Sequence, residues 1–179
     1  AVGYDALFAN TTGNYNVAVG EASLHTNQSG WYNTALGMDT LKDLYEGTYN
    51  TAIGKSALEN NYSGSENTSV GAYSLENLYD GKYNTAAGMK ALQYVSSGGY
   101  NAAIGYQAGY TITTGTYNTA IGYQSGPVYE DGNVSNTTAI GNGAIVTVSD
   151  KIRLGNTSVT VIEGQVAFSN ASDRRLKKD

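Results

Sequence analysis

Apolar and small polar positions along this chain recur every 17 residues. An Asn stands at Asn16, Asn33, Asn50, Asn67, Asn84, Asn101 and Asn118, and a Gly four residues later in every copy. A second Gly follows ten residues after the first, from Gly13 through Gly132. So short and constant a period predicts a solenoid, in which each repeat is one coil that buries its apolar side against its neighbours. In the coil 49–65 the residues Tyr49 to Gly54 alternate large and small. That alternation predicts a strand with Tyr49, Thr51 and Ile53 on one face and Asn50, Ala52 and Gly54 on the other. Parallel stacking then sets Asn over Asn along the column, so that their amides can bond from coil to coil. On this reading the large face supplies burial, and the small face lets another surface approach.

Beyond the strand the spacing changes. Leu41, Leu44 and Tyr45 stand at i, i+3 and i+4, as do Leu75, Leu78 and Tyr79. Each run stops just before a Gly, as a helix does when a left-handed residue closes it. Short helical turns are therefore expected in the first six coils. Later, Gly109 and Gly126 occupy the place of Leu92, and Tyr110 to Thr114 is rich in β-formers, so a strand is expected there. The period breaks between Pro127 and Thr138. Short strands are expected at 144–148, 151–154, 159–162 and 166–168. The fold class is mainly β: a parallel β-solenoid, resembling a β-roll, of about eight coils over 1–136. An irregular β neck over 137–171 and a separate terminal segment, 172–179, are expected to follow.

Composition sharpens this picture. A chain with 23 Gly among 179 residues is a poor helical bundle, since each interior Gly costs about 1 kcal/mol. Charged residues are only 14% of the chain, too few for a disordered polyelectrolyte. With no Cys there is neither a disulfide framework nor a thiolate metal site, and no metal or cofactor is expected. The formal net charge is −5, although the last seven residues hold four of the ten basic side chains. An acidic body argues against nucleic acid as a partner. No run of apolar residues is long enough to insert into a membrane as a helix. The sequence opens inside a repeat, which reads as a piece of a longer fibrous chain.

A column this thin has little interior, and neither face of the expected strand ladder carries a regular charge. Burial between copies of the chain follows, and rotational symmetry would let three columns share one axis. The expected assembly is a homotrimer, intertwined or side by side.

Two stretches resemble known families. The Tyr-Asn-Ala-Ala-Ile-Gly-Tyr-Gln run at 100–107 and Tyr-Asn-Thr-Ala-Ile-Gly-Tyr-Gln at 117–124 resemble the head repeats of trimeric autotransporter adhesins. That likeness implies a left-handed parallel β-roll built as a homotrimer. The segment Lys151 to Thr160, followed by Ser172-Asp173-Arg174-Arg175-Leu176-Lys177-Lys178-Asp179, resembles the junction to the intramolecular chaperone domain of phage tail fibres and endosialidases. That second likeness implies self-cleavage at Ser172-Asp173, with Ser172 as nucleophile and Lys177 as the base that activates it. Without the chaperone domain the segment is expected to be silent, and the chain is not expected to be an enzyme in its own right.

The remaining candidates are weighed by their setting. His25 is the single His and follows a core Leu, which places it at the surface. The carboxylate pairs Asp39-Asp43 and Glu130-Asp131 neither recur in register nor flank an evident cleft, whereas glycosidase chemistry needs two carboxyls on opposite sides of a sugar. Tyr15, Tyr32, Tyr49, Tyr83, Tyr100 and Tyr117 form a row that Glu66 interrupts. Tyr45, Tyr62 and Tyr79 follow the helical segments. Tyr106, Tyr110, Tyr123 and Tyr129, in the more variable region, are the candidates for stacking on sugar rings. The function expected is that of a structural, receptor-binding fibre, either a phage tail fibre or a bacterial cell-surface adhesin. It would act outside the cell, on host-surface glycans or other receptors. The alternatives are a fibre that degrades glycan and a passive spacer.

Overall fold

A computed structural model describes residues 1–128 and 132–163. Eleven short strands follow one another: β1 (Val17–Val19), β2 (Thr34–Leu36), β3 (Thr51–Ile53), β4 (Thr68–Val70), β5 (Thr85–Ala87), β6 (Ala102–Ile104), β7 (Thr119–Ile121), β8 (Gly126–Pro127), β9 (Thr138–Ile140), β10 (Ile145–Val146) and β11 (Ile152–Leu154). Nine of them form one parallel sheet in the order β1-β2-β3-β4-β5-β6-β7-β9-β11, and β8 pairs with β10 in a second, two-stranded sheet. The fold is a parallel β-solenoid. Thr51 pairs with Thr68, Ala52 with Ser69 and Ile53 with Val70, a register of one full 17-residue repeat. The sheet carries on where the period slips. Thr119 pairs with Thr138, across a coil of 19 residues, and Thr138 with Ile152, across one of 14.

The strands of the nine-stranded sheet hold three residues rather than six, those of the small sheet two, and the faces of the large sheet are used in the reverse of the expected sense. From β1 to β7 and in β9 the middle residue points into the coil: Ala35, Ala52, Ala86 and Ala103 are fully buried. The flanking Leu36, Ile53, Val70 and Ile104 are exposed. Across the coil from the small residues stand Leu24, Leu41, Leu58, Leu75 and Leu92, all fully buried in the same core. Gly109 and Gly126 continue that Leu position, and a Cβ built at either would lie 3.6 Å from the Cβ of Ala103 or Ala120. Through the coil of Leu92 a large residue faces the small one, and where Gly109 and Gly126 stand in its place a small residue faces another small one.

No helix occurs among the described residues, so the short helical turns expected in the first six coils are corrected to non-helical turns. The physical reason is visible in the backbone. In each coil two residues at a fixed spacing are left-handed, such as Ser56 and Leu58 (φ 54° and 53°), and this breaks any run of helical dihedrals. The N–H groups then point along the stack instead of along the chain. Ser56 N–H donates to Met38 O in the previous coil, at 2.9 Å; Leu58 donates to Ser74 O and Asn60 to Glu76 O in the next, at 3.0 and 2.9 Å. The i, i+3, i+4 spacing of Leu and Tyr is thus a corner pattern. Leu and Leu point inward on either side of a bend, and the bend recurs. Tyr110 to Thr114 likewise forms turns, closed by Ile112 N–H donating to Gly109 O at 3.0 Å. Of the strands expected near the end, β10 and β11 lie within 144–148 and 151–154, 159–162 has no regular structure, and 166–168 lies outside the described residues.

The buried Asn column ties the coils together. Asn50 Oδ1 accepts the backbone N–H of Asn67 and its side-chain amide, both at 3.1 Å, while Asn67 Nδ2 also donates to Gly81 O at 2.9 Å. The same set recurs at Asn84, Asn101 and Asn118. Thr137 closes it, donating through its hydroxyl to Asn118 Oδ1 at 2.7 Å. Asn suits the place because one short side chain carries both acceptor and donors. The Gly row beside it tolerates nothing larger. Gly71 has φ 130°, and a Cβ there would lie 2.7 Å from the carbonyl of Gly88.

Candidate functional site

The outer side of the nine-stranded sheet is a surface of unusual composition. Each strand turns its first and third residues outward, giving a row of Thr, Val, Ala and Ile beside a row of Val, Leu, Ile and Ala. Neither row contains a charge. At about 4.8 Å per strand the two rows run for roughly 40 Å. Tyr residues flank them on one side, and on the other a row in which exposed Tyr4, Met38, Met89, Tyr106 and Tyr123 are interspersed with exposed Glu21 and Lys55. A parallel sheet ordinarily has both faces covered. The first of these rows is Thr at six of its nine places, while the second is apolar throughout, and an exposed apolar row of this length is the kind of surface that marks an interaction.

The Tyr row takes left-handed backbone at every member, from Tyr15 (φ 59°) to Tyr117 (φ 58°), which aims the rings along the stack. Tyr15, Tyr32 and Tyr49 pack face to face with centroids 4.8 and 5.0 Å apart, and Tyr83, Tyr100 and Tyr117 do so at 4.8 Å. Glu66 fills the gap between the two triplets. Its carboxylate accepts a hydrogen bond from the Tyr83 hydroxyl, and this bond, with the nearby negative charge, raises the phenol's pKa above its ordinary value.

The residues expected to contact glycan divide. Tyr106 and Tyr123 stack on each other at 5.5 Å and 14°. Their facing surfaces are therefore used within the chain, and edges, hydroxyls and the two end faces remain for a ligand. Tyr110 is set apart from them. It meets Tyr94 edge to face at 4.8 Å, with hydroxyls 3.2 Å apart. It borders a recess of about 210 Å³ that Gln107, Gln124, Pro127 and Ile145 also line. The two Gln side chains bond to each other at 2.8 Å. Tyr129, Glu130, Asp131, Ser172, Asp173 and Lys177 lie outside the described residues. His25 stacks on Phe8 at 5.3 Å and 6°. Asp39 pairs with Lys42 at 3.1 Å, and that hydrogen bond is the chief cause of the raised Lys42 pKa. Among the described residues no group of three His, Cys, Asp or Glu side chains is placed to hold a metal ion, and no helix is long and apolar enough to cross a membrane.

A second surface lies on the turn-built side. Tyr45, Tyr62 and Tyr79 stack at 5.3 Å, and with Thr26, Asp43 and Asn60 they line a groove of about 420 Å³. Reading the sequence for paired carboxylates passes over this groove. Its signal is register: Thr26, Asp43, Asn60 and Asn77 share one place in successive coils, and the three Tyr stand two residues further on.

Compared with known proteins, the chain matches no protein-family model, no curated protein and no solved structure.

Proposed function

We propose that this chain is a segment of a homotrimeric extracellular fibre that attaches to surface glycans or other receptors of a host cell. One observation carries the reading: the uncharged apolar stripe on the outer side of the parallel sheet. Removing it from water is favourable by roughly 25 cal/mol per Å², and the described residues leave it uncovered. Three columns turned inward on a common axis would cover all three stripes at once. The opposite, turn-built sides would then face outward. Three identical outward sides on a rigid rod suit multivalent attachment, in which weak contacts add through linkage. The resemblance of 100–107 and 117–124 to adhesin head repeats supports the same assembly.

Sedimentation equilibrium tests it. The expected mass is three times 18.8 kDa at micromolar concentration. Replacing Ile53, Ile104 and Ile121 together by Asp should yield single chains. A wild-type protein that sediments as one chain at those concentrations, still folded, refutes the fibre reading.

A further inference from the structure

We infer that the groove beside Tyr45, Tyr62 and Tyr79 binds a neutral, extended β-(1→4)-linked hexopyranose chain lying lengthwise along the solenoid, one sugar to each coil. The inference rests on the proposed attachment to surface glycans and names the ligand class for it.

The groove spans four consecutive coils, from Thr26 to Tyr79. One wall is a stack of three rings 5.3 Å apart, nearly parallel at 3° and 7°. The other is a row of short polar side chains. A ligand that touches every coil must advance in step with the coil's own spacing, about 4.8 Å. A peptide strand advances only about 3.3 Å per residue and falls out of step within two coils. A β-(1→4)-linked hexopyranose chain is straight and advances by close to one coil per sugar, with alternate sugars turned over so that the same edge returns to a given wall every second coil. An α-(1→4)-linked chain curls and does not stay in the groove.

The wall chemistry agrees. Sugars present hydroxyls along both edges, and these need partners on both sides. Because the rings stack on each other, they offer the ligand their edges and hydroxyls rather than their faces. Tyr62 and Tyr79 are 41% and 56% exposed. Across the groove Asp43 and Asn60 are exposed, and Asn60 Nδ2 donates to Asn77 Oδ1 at 3.3 Å, leaving Asn60 Oδ1 as an acceptor. Thr26 donates its hydroxyl hydrogen to the carbonyls of Lys42 and Leu44, which leaves its oxygen as an acceptor at the end of the groove. The Asp43 carboxylate, in a chain of net charge −5, disfavours uronic- or sialic-acid polymers and leaves neutral glycans.

Calorimetric titration of the full chain with cello-oligosaccharides tests this. Affinity should rise at least about tenfold from cellobiose to cellotetraose, then level off at cellohexaose, because four coils line the groove. Tyr62→Ala should weaken cellohexaose about tenfold, the loss of one hydrogen bond together with an apolar contact. Tyr62→Phe should lose less, and Tyr123→Ala, on the other surface, should lose nothing. Maltohexaose should bind at least about tenfold more weakly than cellohexaose. No cellohexaose binding at millimolar concentration, equal affinity for both hexamers, or an unaffected Tyr62→Ala of native mass overturns the inference. Sedimentation of the same samples separates the two readings. A trimer that adheres to cells but ignores cellohexaose fails the groove alone, whereas a single-chain mass fails the fibre.

Discussion

Asn67→Ala is the most direct probe of what binds one coil to the next. Asn67 is fully buried. Its Oδ1 accepts Asn84 N–H at 2.9 Å and Asn84 Nδ2 at 3.2 Å, while its Nδ2 donates to Asn50 Oδ1 at 3.1 Å and to Gly81 O at 2.9 Å. Truncation ends all four. The Asn50 and Asn84 side chains keep other partners, to Gly64 O and Gly98 O. The Asn84 N–H and the Gly81 carbonyl lose theirs in a place water does not reach. Each such buried backbone group costs about 1–3 kcal/mol, so the substitution should destabilise by roughly 2–6 kcal/mol. That is a large share of the roughly 5–15 kcal/mol that holds a domain folded. Asn16→Ala is the control. Asn16 is only partly buried and stands at the first coil, where water can replace its bonds to Asn33 N–H and Gly30 O. Urea unfolding followed by circular dichroism, at one fixed protein concentration, should show Asn67→Ala losing at least twice what Asn16→Ala loses. Equal losses would refute the view that the buried amide column, rather than apolar packing alone, joins the coils.

Three further outcomes are expected. Gly71→Ala places a Cβ 2.7 Å from the Gly88 carbonyl at φ 130°, so it should abolish cooperative thermal unfolding or lower Tm sharply, whereas Gly99→Ala, where φ is not left-handed, should be milder. Glu66→Tyr should join the two Tyr triplets into one stack, since its φ of 59° already matches the row; two new ring pairs at about 0.5–1.5 kcal/mol each should outweigh the lost bond to Tyr83 and raise the urea midpoint. Glu66→Gln should bring the Tyr83 phenol back toward its ordinary pKa, read by carbon-13 NMR of labelled Tyr. Because the folded-state pKa is raised, the Glu66–Tyr83 contribution is complete below the ordinary phenol range and fades as pH climbs through the raised value, so the two proteins should differ in stability at neutral pH and converge at high pH.

The 17-residue register alone determined the stacking. Asn, Gly and Tyr recur without slippage, and only parallel coils in register can satisfy a buried amide that needs its own copy above and below. The site was legible to the same extent. The rows of Tyr and of uncharged strand residues follow from spacing, although not which rings face each other or which side lies open. Leu41, Leu44 and Tyr45 read as a helix because their spacing fits one. Tertiary structure decided otherwise: with a neighbouring coil about 4.8 Å away, backbone groups bond along the stack, and left-handed Asp39 and Leu41 become tolerable because the next coil supplies the partners a helix would have made internally. It also decided which strand face is inside. Ala52 faces Leu58 within the coil, so Ile53 is left outside, where none of the described residues covers it. Period is a property of the chain. Inside and outside are properties of what each coil meets across the gap.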